Sequence, residues 1–366
     1  MLSQLAFFAG GLVVLVVGAE LLVRGASRIA TSFGVSPLVI GLTIVAYGTS
    51  APEMAVSIQS AQSGQVDIAL GNVVGSNIFN VLFILGVSAL VAPLVVNAQL
   101  IRQEVPVMVG ASLLLWALAA DGGLGRSDGA LLAALALAYT AFLVIQSRRA
   151  TRATKQEFKV KFAPTGGWDR HWGVQLMLVL VGLGLLVLGA DWLVQASVAF
   201  AKSLGVSELV IGLTIVAAGT SLPEVATSVM ATIRGERDIA VGNVVGSNTF
   251  NILAVLGFSS LAAPKELAVA PAILAFDLPV MTAVAVACLP VFVTGRRIAR
   301  WEGVVFLLYY AAYTSYLILA VEHHDALPAF SRAMLWFVVP LTLITGSIGV
   351  WRDWQRPRAA ARRTKA

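Results

Sequence analysis

GLTIVAYGTSAPEMAVS at residues 41–57 and DIALGNVVGSNIFN at residues 67–80 decide the fold, because both stretches occur twice in the chain. The second copies read GLTIVAAGTSLPEVATS at 212–228 and DIAVGNVVGSNTFN at 238–251. A shift of 171 positions superimposes the copies without a gap, and from Gly34 onward 35 of 53 aligned positions are identical. Two unrelated apolar segments do not agree at this level, so the chain contains an internal duplication.

The composition around these repeats is typical of a membrane protein. Hydrophobic residues make up 58% of the 366 positions and charged residues only 12%, about half the charged share of a soluble domain. Apolar stretches long enough to cross a bilayer recur along the whole length. We therefore predict an all-α, polytopic transmembrane protein and exclude a soluble enzyme with one anchor. The eleven predicted spans are 4–23, 35–62, 67–94, 104–121, 128–146, 173–198, 206–233, 238–264, 269–294, 302–321 and 332–351.

The 25 basic residues predict the orientation of the chain in a cell membrane. With the amino terminus outside, 21 of them fall in cytoplasmic segments, and only Arg126, Lys202, Lys265 and Arg332 fall outside. This asymmetry follows the positive-inside rule and predicts a cytoplasmic carboxyl terminus. Orientation in the lipid bilayer thus explains the net charge of +6, and no nucleic-acid partner is expected.

The two copies are predicted to be inverted relative to each other. Each copy comprises five spans, so corresponding helices cross the membrane in opposite directions. Inverted repeats are a recurrent architecture of secondary transporters, although a duplication kept for folding alone would leave the same pattern. The predicted segments are a first repeat at 1–146, a basic cytoplasmic loop at 147–172, a second repeat at 173–321, and an extra transmembrane helix with a basic tail at 322–366.

Glu53 and Glu224 lie near the middle of predicted spans. An ionisable residue at that depth is costly unless it faces a cavity or a partner. Each follows a proline, Pro52 or Pro223, which cannot donate a hydrogen bond to the carbonyl four residues earlier and therefore bends or opens the helix. We interpret the two glutamates as ion ligands at helix kinks, rather than as carboxylates that reach the membrane surface.

The residues before each glutamate supply further oxygen atoms on the same helix face, at spacings of three and four. Carboxylate, hydroxyl and carbonyl oxygens suit a hard cation such as Ca²⁺ or Na⁺, and no cluster of His or Cys suggests zinc or copper. Two carboxylates neutralise one Ca²⁺ or two Na⁺, so the two ions should compete for one site. The predicted ligands on these helices are Ala46, Thr49, Ser50 and Glu53, with Ala217, Thr220, Ser221 and Glu224 as counterparts.

The second repeated motif, GNVVGSNxFN, adds neutral oxygen ligands. Ser76 and Asn80 are four residues apart on one helix face, as are Ser247 and Asn251, and all four belong to the predicted site. The other asparagines of the motif are either ligands or interhelical hydrogen-bond partners: Asn72, Asn77, Asn243 and Asn248. Two further acidic residues, Glu20 and its counterpart Asp191, belong either to an ion pathway or to local pairs such as Glu20 with Arg24.

The paired GTSxPE and GNVxGSN motifs resemble the two alpha-repeats of the cation/calcium antiporter superfamily, specifically the prokaryotic sodium/calcium exchanger branch. The similarity spans residues 4–320. It implies a ten-helix core in which the two kinked helices and their following helices enclose the ions, and it assigns the twelve residues above as ligands. It also implies Ca²⁺/Na⁺ exchange by alternating access at a midplane site in a prokaryotic inner membrane, with both ions as substrates and no cofactor.

Two features depart from the family pattern. Some relatives, notably the potassium-dependent branch, carry Asp where this chain has Asn251, so potassium dependence is not expected. The span at 332–351 also extends past the ten-helix core. Among other functions, H⁺/Ca²⁺ exchange is the nearest alternative, because the same carboxylates bind protons. A cation channel fits inverted repeats less well, and an intramembrane metalloprotease would need the HExxH motif that this chain lacks.

Overall fold

The computed structural model describes residues 2–33, 35–149, 171–203, 217–321, 324, 326–340 and 347. Helices account for nearly all of them, which confirms the predicted all-α architecture. The helices are α1 Leu2–Phe33, α2 Pro37–Thr49, α3 Ala51–Gln62, α4 Val66–Val91, α5 Leu100–Asp121, α6 Arg126–Arg149, α7 Trp172–Ser203, α8 Leu222–Ile233, α9 Arg237–Ala262, α10 Ile273–Arg296, α11 Arg300–Val321 and α12 Leu327–Ala333. In the described part of the chain, four short strands lie between the helices: β1 Leu94–Val95, β2 Gly123–Leu124, β3 Leu267–Ala268 and β4 Arg297–Ile298.

Eight of the described helices are long and apolar enough to cross a membrane, and the bent pair α2 and α3 makes a ninth span. The chain is therefore a multi-pass membrane protein, as predicted. The predicted span 206–233 is described only from residue 217, and most of the predicted loop 147–172 lies outside the described residues, as does much of the span 332–351. The total of eleven spans stays a prediction.

Helix α1 is longer than predicted, because it continues to Phe33 instead of ending at residue 23. The predicted span ended just before the charged residue Arg24, but Arg24 and Glu20 lie together on one face of a helix that continues. Leu22 and Ala26 lie on the opposite face and are fully buried. An amphipathic helix of this kind extends beyond its purely apolar stretch.

The sequence duplication is reproduced in the helices. The bounds of α3 and α8 differ by the same 171 positions as the sequence repeats, and so do the bounds of α4 and α9. Both α4 and α9 contain one wider, π-helical turn, at Asn80–Ile84 and at Asn251–Val255. Such turns often occur at functional sites, and here each begins at a predicted ligand.

The four short strands show that the two halves are inverted. β1 and β2 flank α5, while β3 and β4 flank the equivalent helix α10. β1, before α5, pairs with β4, after α10, and β2, after α5, pairs with β3, before α10. The two equivalent helices therefore run in opposite directions.

Helices α4 and α9 form the centre of the molecule. In their apolar stretches 78% and 94% of the residues are buried, compared with 33% in α1 and 11% in α11. Helix α3 packs against α4, and α8 packs against α9. Polar side chains on the inner faces of these four helices are thus shielded from both lipid and water.

Helices α1 and α7 approach each other backbone to backbone along a line of glycines. A Cβ atom on Gly18 would lie 2.8 Å from a backbone nitrogen of α7, and one on Gly189 would lie 2.6 Å from a backbone nitrogen of α1. Gly11 and Gly182 make similarly close approaches one step along the same line. Small residues let membrane helices pack this closely, so α1 and α7 form one tight pair.

Candidate functional site

The chain bends by 45° between α2 and α3. Ser50 stands at the bend with φ −84° and ψ 9°, and Ser221 has nearly the same angles, −88° and 5°, at the start of α8. Each serine comes two residues before a proline, whose missing N–H cannot continue the helical hydrogen bonds. The bend places Glu53 in the first turn of α3, and the equivalent turn places Glu224 in the first turn of α8.

The carbonyl of Ala46 is not released by the bend. It accepts the Ser50 amide at 3.0 Å, and the Thr49 hydroxyl lies 3.4 Å away. Of the two outcomes expected from Pro52, the helix bends and does not open at this carbonyl. Ala217 begins the short helical turn Ala217–Gly219 in the second half.

Each glutamate is held by a serine from the opposite half. Ser221 Oγ donates to Glu53 Oε1 at 2.9 Å, and Ser50 Oγ donates to Glu224 Oε1 at 2.8 Å. All four residues are fully buried. Because each serine lies one turn before the glutamate of its own half, the two bonds cross the boundary between the halves. The carboxylates therefore meet in one interior site rather than in two.

The threonines beside these serines also bond across the halves. Thr49 donates to Asn243 Oδ1 at 3.1 Å, and Thr220 donates to Asn72 Oδ1 at 3.2 Å. The amide nitrogens of Asn72 and Asn243 donate in turn to serines of α3 and α8 at 2.9 Å and 3.0 Å. Both asparagines are interhelical hydrogen-bond partners, which is one of the two roles that the sequence left open.

Asn77, Asn80, Asn248 and Asn251 meet where α4 packs against α9. Asn80 Nδ2 donates to Asn248 Oδ1 at 3.0 Å, and Asn251 Nδ2 donates to Asn77 Oδ1 at 3.2 Å. The amides of Asn77 and Asn248 each donate to the other residue's backbone carbonyl, at 3.2 Å and 3.0 Å. Four buried amide groups thus join the two central helices.

Five buried side-chain oxygen atoms in this region have no hydrogen-bond partner among the described residues. They are Glu53 Oε2, Glu224 Oε2, Asn80 Oδ1, Asn251 Oδ1 and Ser247 Oγ. A buried carboxylate oxygen without a donor or a cation is strongly unfavourable. Carboxylate, amide and hydroxyl oxygens are also the ligands that hard cations prefer. The arrangement therefore fits a bound Ca²⁺ or Na⁺.

The structure gathers the predicted ligands of both halves around this region. Ten of the twelve are buried, and Thr220 is half-buried. The side-chain surroundings of Ala217 lie outside the described residues. The ten buried ligands are Ala46, Thr49, Ser50, Glu53, Ser76, Asn80, Ser221, Glu224, Ser247 and Asn251.

A further buried carboxylate was not indicated by the sequence reasoning. Glu104 Oε2 accepts the Tyr139 hydroxyl at 2.5 Å, and its other oxygen accepts two glutamine amides at 2.8 Å. Asp277 and Tyr313 repeat the acid–tyrosine pair in the second half at 2.8 Å. The two acids are 173 positions apart, so a constant shift of 171 does not align them. The signal that could have found them is a proline two residues after each acid.

Helix α1 makes polar contacts with the turn between α8 and α9. Glu20 forms an ion pair with Arg234, whose Nε donates to Glu20 Oε2 at 2.8 Å, and Ser27 donates to Glu236 at 2.6 Å. Asp191, the counterpart of Glu20, accepts a hydrogen bond at 2.7 Å from within its own helix. The partners of Glu20 and Ser27 are over 200 positions away in the chain, so the sequence pattern did not reveal them.

Comparison with known proteins agrees with this geometry. The family model described as sodium/calcium exchanger protein matches residues 3–145 and 174–319. The putative antiporter CaxA of Alkalimonas amylolytica is 40% identical over 318 residues, which cover 86% of this chain and 98% of that protein. The sodium/calcium exchanger MaX1 of Methanosarcina acetivorans is 36% identical over 334 residues, which cover 83% of this chain and 95% of that protein.

A solved structure of the sodium-calcium exchanger NCX_Mj has the same fold. Its TM-score to this chain is 0.73 at 30% sequence identity, and the match covers 86% of this chain and 99% of that chain. The two segments that the family model matches cover nearly all of the two repeated halves. The chain therefore belongs to the sodium/calcium exchanger family and is a membrane antiporter of Ca²⁺ and other cations, not an enzyme.

Proposed function

We propose that this antiporter exchanges Ca²⁺ for Na⁺ by alternating access at one site shared by its two halves. The observation that carries the proposal is the pair Glu53 and Glu224, both fully buried and each with one oxygen that no described residue satisfies. A cation stabilises such a pair of carboxylates. The crossed hydrogen bonds from Ser221 and Ser50 hold the two carboxylates in one place.

The charge of the site accounts for competition between the two ions. Asn80 and Asn251 are neutral, so Glu53 and Glu224 supply a charge of −2, which one Ca²⁺ or two Na⁺ neutralise. Both ions are hard and bind oxygen ligands. Because they use the same oxygens, binding of one ion displaces the other, and this competition is the minimum requirement for exchange.

The other predicted ligands complete the oxygen shell around the ions. Hydroxyl or backbone oxygens come from the kinked helices, and hydroxyl and amide oxygens come from α4 and α9. In this proposal the neutral ligands are Thr49, Ser50, Thr220, Ser221, the carbonyls of Ala46 and Ala217, Ser76, Asn80, Ser247 and Asn251.

Inverted halves provide the alternation. Two halves of one fold in opposite orientations can exchange their conformations, which opens the site first to one side of the membrane and then to the other. The glycine-packed pair α1 and α7 is the proposed moving unit, which slides or rocks against the central helices. Its close backbone contacts support movement as one body.

We also propose the placement of the chain in the membrane. The distribution of basic residues supports an external amino terminus and a cytoplasmic carboxyl terminus, in a prokaryotic inner membrane. The repeats at 1–146 and 173–321 then form the transport core. The cytoplasmic loop at 147–172 and the additional helix and tail at 322–366 lie outside that core.

The deciding experiment is transport by the purified protein in lipid vesicles, with radioactive Ca²⁺ and imposed Na⁺ or H⁺ gradients. We expect Ca²⁺ uptake when Na⁺ is trapped inside, and loss of uptake when the Na⁺ gradient is dissipated. Uptake driven by H⁺ but not by Na⁺ would establish H⁺/Ca²⁺ exchange instead. Ca²⁺ flux that follows its own gradient without a counter-ion would indicate a channel.

Matched variants test the site itself. Glu53→Gln and Glu224→Gln keep the shape of the side chain but remove the charge, so we expect each to abolish exchange while the protein still folds. Glu104→Gln makes the same change at a buried carboxylate outside the site and should retain exchange. Full exchange by either site variant would remove that glutamate from the site.

A further inference from the structure

The asparagines Asn80 and Asn251 present a problem of orientation that the carboxylates do not. A carboxylate offers two oxygens, whereas an amide offers one oxygen and one NH₂ group of nearly the same shape. Only the oxygen can bind a cation. An asparagine that acts as a ligand therefore needs a neighbour that fixes which end of its amide faces the ion.

The hydrogen bonds between α4 and α9 supply that neighbour. A backbone carbonyl can only accept, so the Asn77 carbonyl requires the Nδ2 end of Asn248, at 3.0 Å. The Oδ1 of Asn248 must then lie at the other end of the amide, where it accepts Nδ2 of Asn80 at 3.0 Å. Asn80 Oδ1 is left free and buried. Reversing the Asn80 amide would break this bond and set two oxygens against each other.

The same sequence of bonds occurs in the other half. The Asn248 carbonyl requires the Nδ2 end of Asn77, at 3.2 Å. Asn77 Oδ1 then accepts Nδ2 of Asn251 at 3.2 Å, and Asn251 Oδ1 is left free and buried. All four side chains are at least 97% buried, so water does not compete for these bonds.

Each free oxygen belongs to a side chain on the same helix face as a serine of the predicted site. Asn80 follows Ser76 by one turn on the same face of α4, and the Ser76 hydroxyl lies 3.1 Å from that of Ser221, which donates to Glu53. Asn251 has the same relation to Ser247 on α9. The end of each amide that the network leaves open therefore belongs to the region of the cation site.

We propose that Asn77 and Asn248 are positioning residues, which orient the amides of Asn251 and Asn80 so that carbonyl oxygen rather than NH₂ faces the transported cation. This role rests on the proposed function, because it presumes that Asn80 and Asn251 bind the ion. Each ligand amide is oriented from the opposite half, so the network also ties the shape of the site to the relative position of α4 and α9.

The test is a set of double-mutant cycles on the full chain in vesicles, with the half-saturating Ca²⁺ concentration for Na⁺-driven uptake as the readout. Alanine replaces each of the four asparagines singly. Two double variants combine bonded side chains, Asn248→Ala with Asn80→Ala and Asn77→Ala with Asn251→Ala. Two more combine side chains that share no side-chain bond, Asn248→Ala with Asn251→Ala and Asn77→Ala with Asn80→Ala.

We expect each positioning variant to raise the half-saturating Ca²⁺ concentration by about fivefold to tenfold, the worth of one or two buried hydrogen bonds. Within a bonded pair, the double variant should be no worse than the ligand variant alone, because no amide remains to be oriented. In the two double variants whose side chains share no bond, the factors by which the single variants raise the half-saturating Ca²⁺ concentration should multiply. If Asn248→Ala raises the half-saturating Ca²⁺ concentration by the same factor with and without the Asn80 side chain, Asn248 has only a structural role and the proposal is overturned.

Two further comparisons keep the test decisive. If the alanine variants fail to fold, the double-mutant cycles are repeated with Asn77→Ser and Asn248→Ser, which place a hydroxyl where the amide was. If Asn80→Ala and Asn251→Ala leave the half-saturating concentration unchanged, there is no ligand to orient and the proposal fails, whereas Na⁺-driven uptake by the unaltered protein still supports the proposed function. Absence of that uptake would instead reject the proposed function itself.

Discussion

The hydroxyl of Ser221 donates a hydrogen bond to Glu53 at 2.9 Å, although the two residues belong to opposite halves of the chain. Ser221 lies one turn before Glu224, so a shift of one kinked helix relative to the other changes the surroundings of both carboxylates together. The bond between Ser50 and Glu224 at 2.8 Å has the same effect from the other side. The geometry of the site thus depends on how the two halves are placed.

This relationship predicts matched effects for the two serines. Ser50→Ala and Ser221→Ala each remove a hydroxyl that bonds a buried carboxylate, and such bonds are worth about 1.5–3 kcal/mol. We expect each variant to raise the half-saturating Ca²⁺ concentration by about tenfold or more, as measured by Ca²⁺ uptake in vesicles. Ser112→Ala is the control, because Ser112 is equally buried but bonds a carbonyl of its own helix. Near-normal Ca²⁺ dependence of both site variants would contradict the crossed arrangement.

The glycine line between α1 and α7 predicts sensitivity to a single methyl group. Gly189→Ala would place a Cβ 2.6 Å from a backbone nitrogen of α1, whereas a Cβ at Gly184, on the same helix, meets no described atom within 4 Å. Overpacking of this kind costs about 1–3 kcal/mol. Thermal unfolding in detergent should therefore show a clear loss of stability for Gly189→Ala and little change for Gly184→Ala. Equal melting temperatures of the two variants would show that α1 and α7 move apart to accommodate the added methyl group without cost.

The ion pair between Glu20 and Arg234 predicts a bias between conformations rather than a large effect on stability. Arg234 is 56% exposed, and surface pairs contribute about 0–1 kcal/mol. If the pair forms in one of two alternating states, its loss changes their ratio by up to about fivefold. Glu20→Gln and Arg234→Gln should therefore change the ratio of apparent Ca²⁺ affinities measured from the two sides of the membrane. The melting temperature should hardly change.

The symmetry-related residue provides the control for that experiment. Asp191→Asn neutralises the counterpart of Glu20, which bonds within its own helix, so the ratio of affinities should stay at the unaltered value. Exchanging the charges, with Glu20→Arg and Arg234→Glu together, should recover part of the original ratio. If Asp191→Asn changed the ratio of affinities by the same amount, the cause would be general surface charge and not the contact between Glu20 and Arg234.

The pair formed by Glu104 and Tyr139 predicts a structural role. Tyr139→Phe removes the hydroxyl that Glu104 Oε2 accepts at 2.5 Å and leaves a buried carboxylate oxygen short of a donor. The cost of such an unsatisfied group is about 1–3 kcal/mol. We expect a lower melting temperature in detergent, with the Ca²⁺ dependence of transport unchanged. Glu104→Gln in the Tyr139→Phe background should recover stability, because it removes the buried charge.

Several elements were predictable because local chemistry determines them. The apolar stretches require helices in a bilayer, where unpaired backbone groups are costly, and Pro52 and Pro223 mark where two helices change direction. The odd number of spans in each repeat predicted the inversion, which the pairing of β1 with β4 and of β2 with β3 confirms. The predicted end of α1 was wrong, because a charged residue on the polar face of a longer helix was interpreted as the end of the helix.

The network of side-chain contacts was not predictable from the pattern. Asn77 and Asn248 occupy repeated positions, which made both a ligand role and a hydrogen-bonding role reasonable. Only their contact across α4 and α9 shows which atoms they engage. Glu104 and Tyr139 carry no strong local signal, since their pairing depends on how α5 packs against α6.

The sequence by itself determined the helical membrane fold, the duplication, the inversion and the residue types that suit a hard cation, since these follow from hydrophobicity, repeat spacing and oxygen chemistry. Tertiary structure alone decided which half supplies the partner of each carboxylate and which amide oxygen is left free. Hydrogen bonds between residues such as Ser50 and Glu224, 174 positions apart, exist only once the two halves have packed. A local pattern contains no information about that distance.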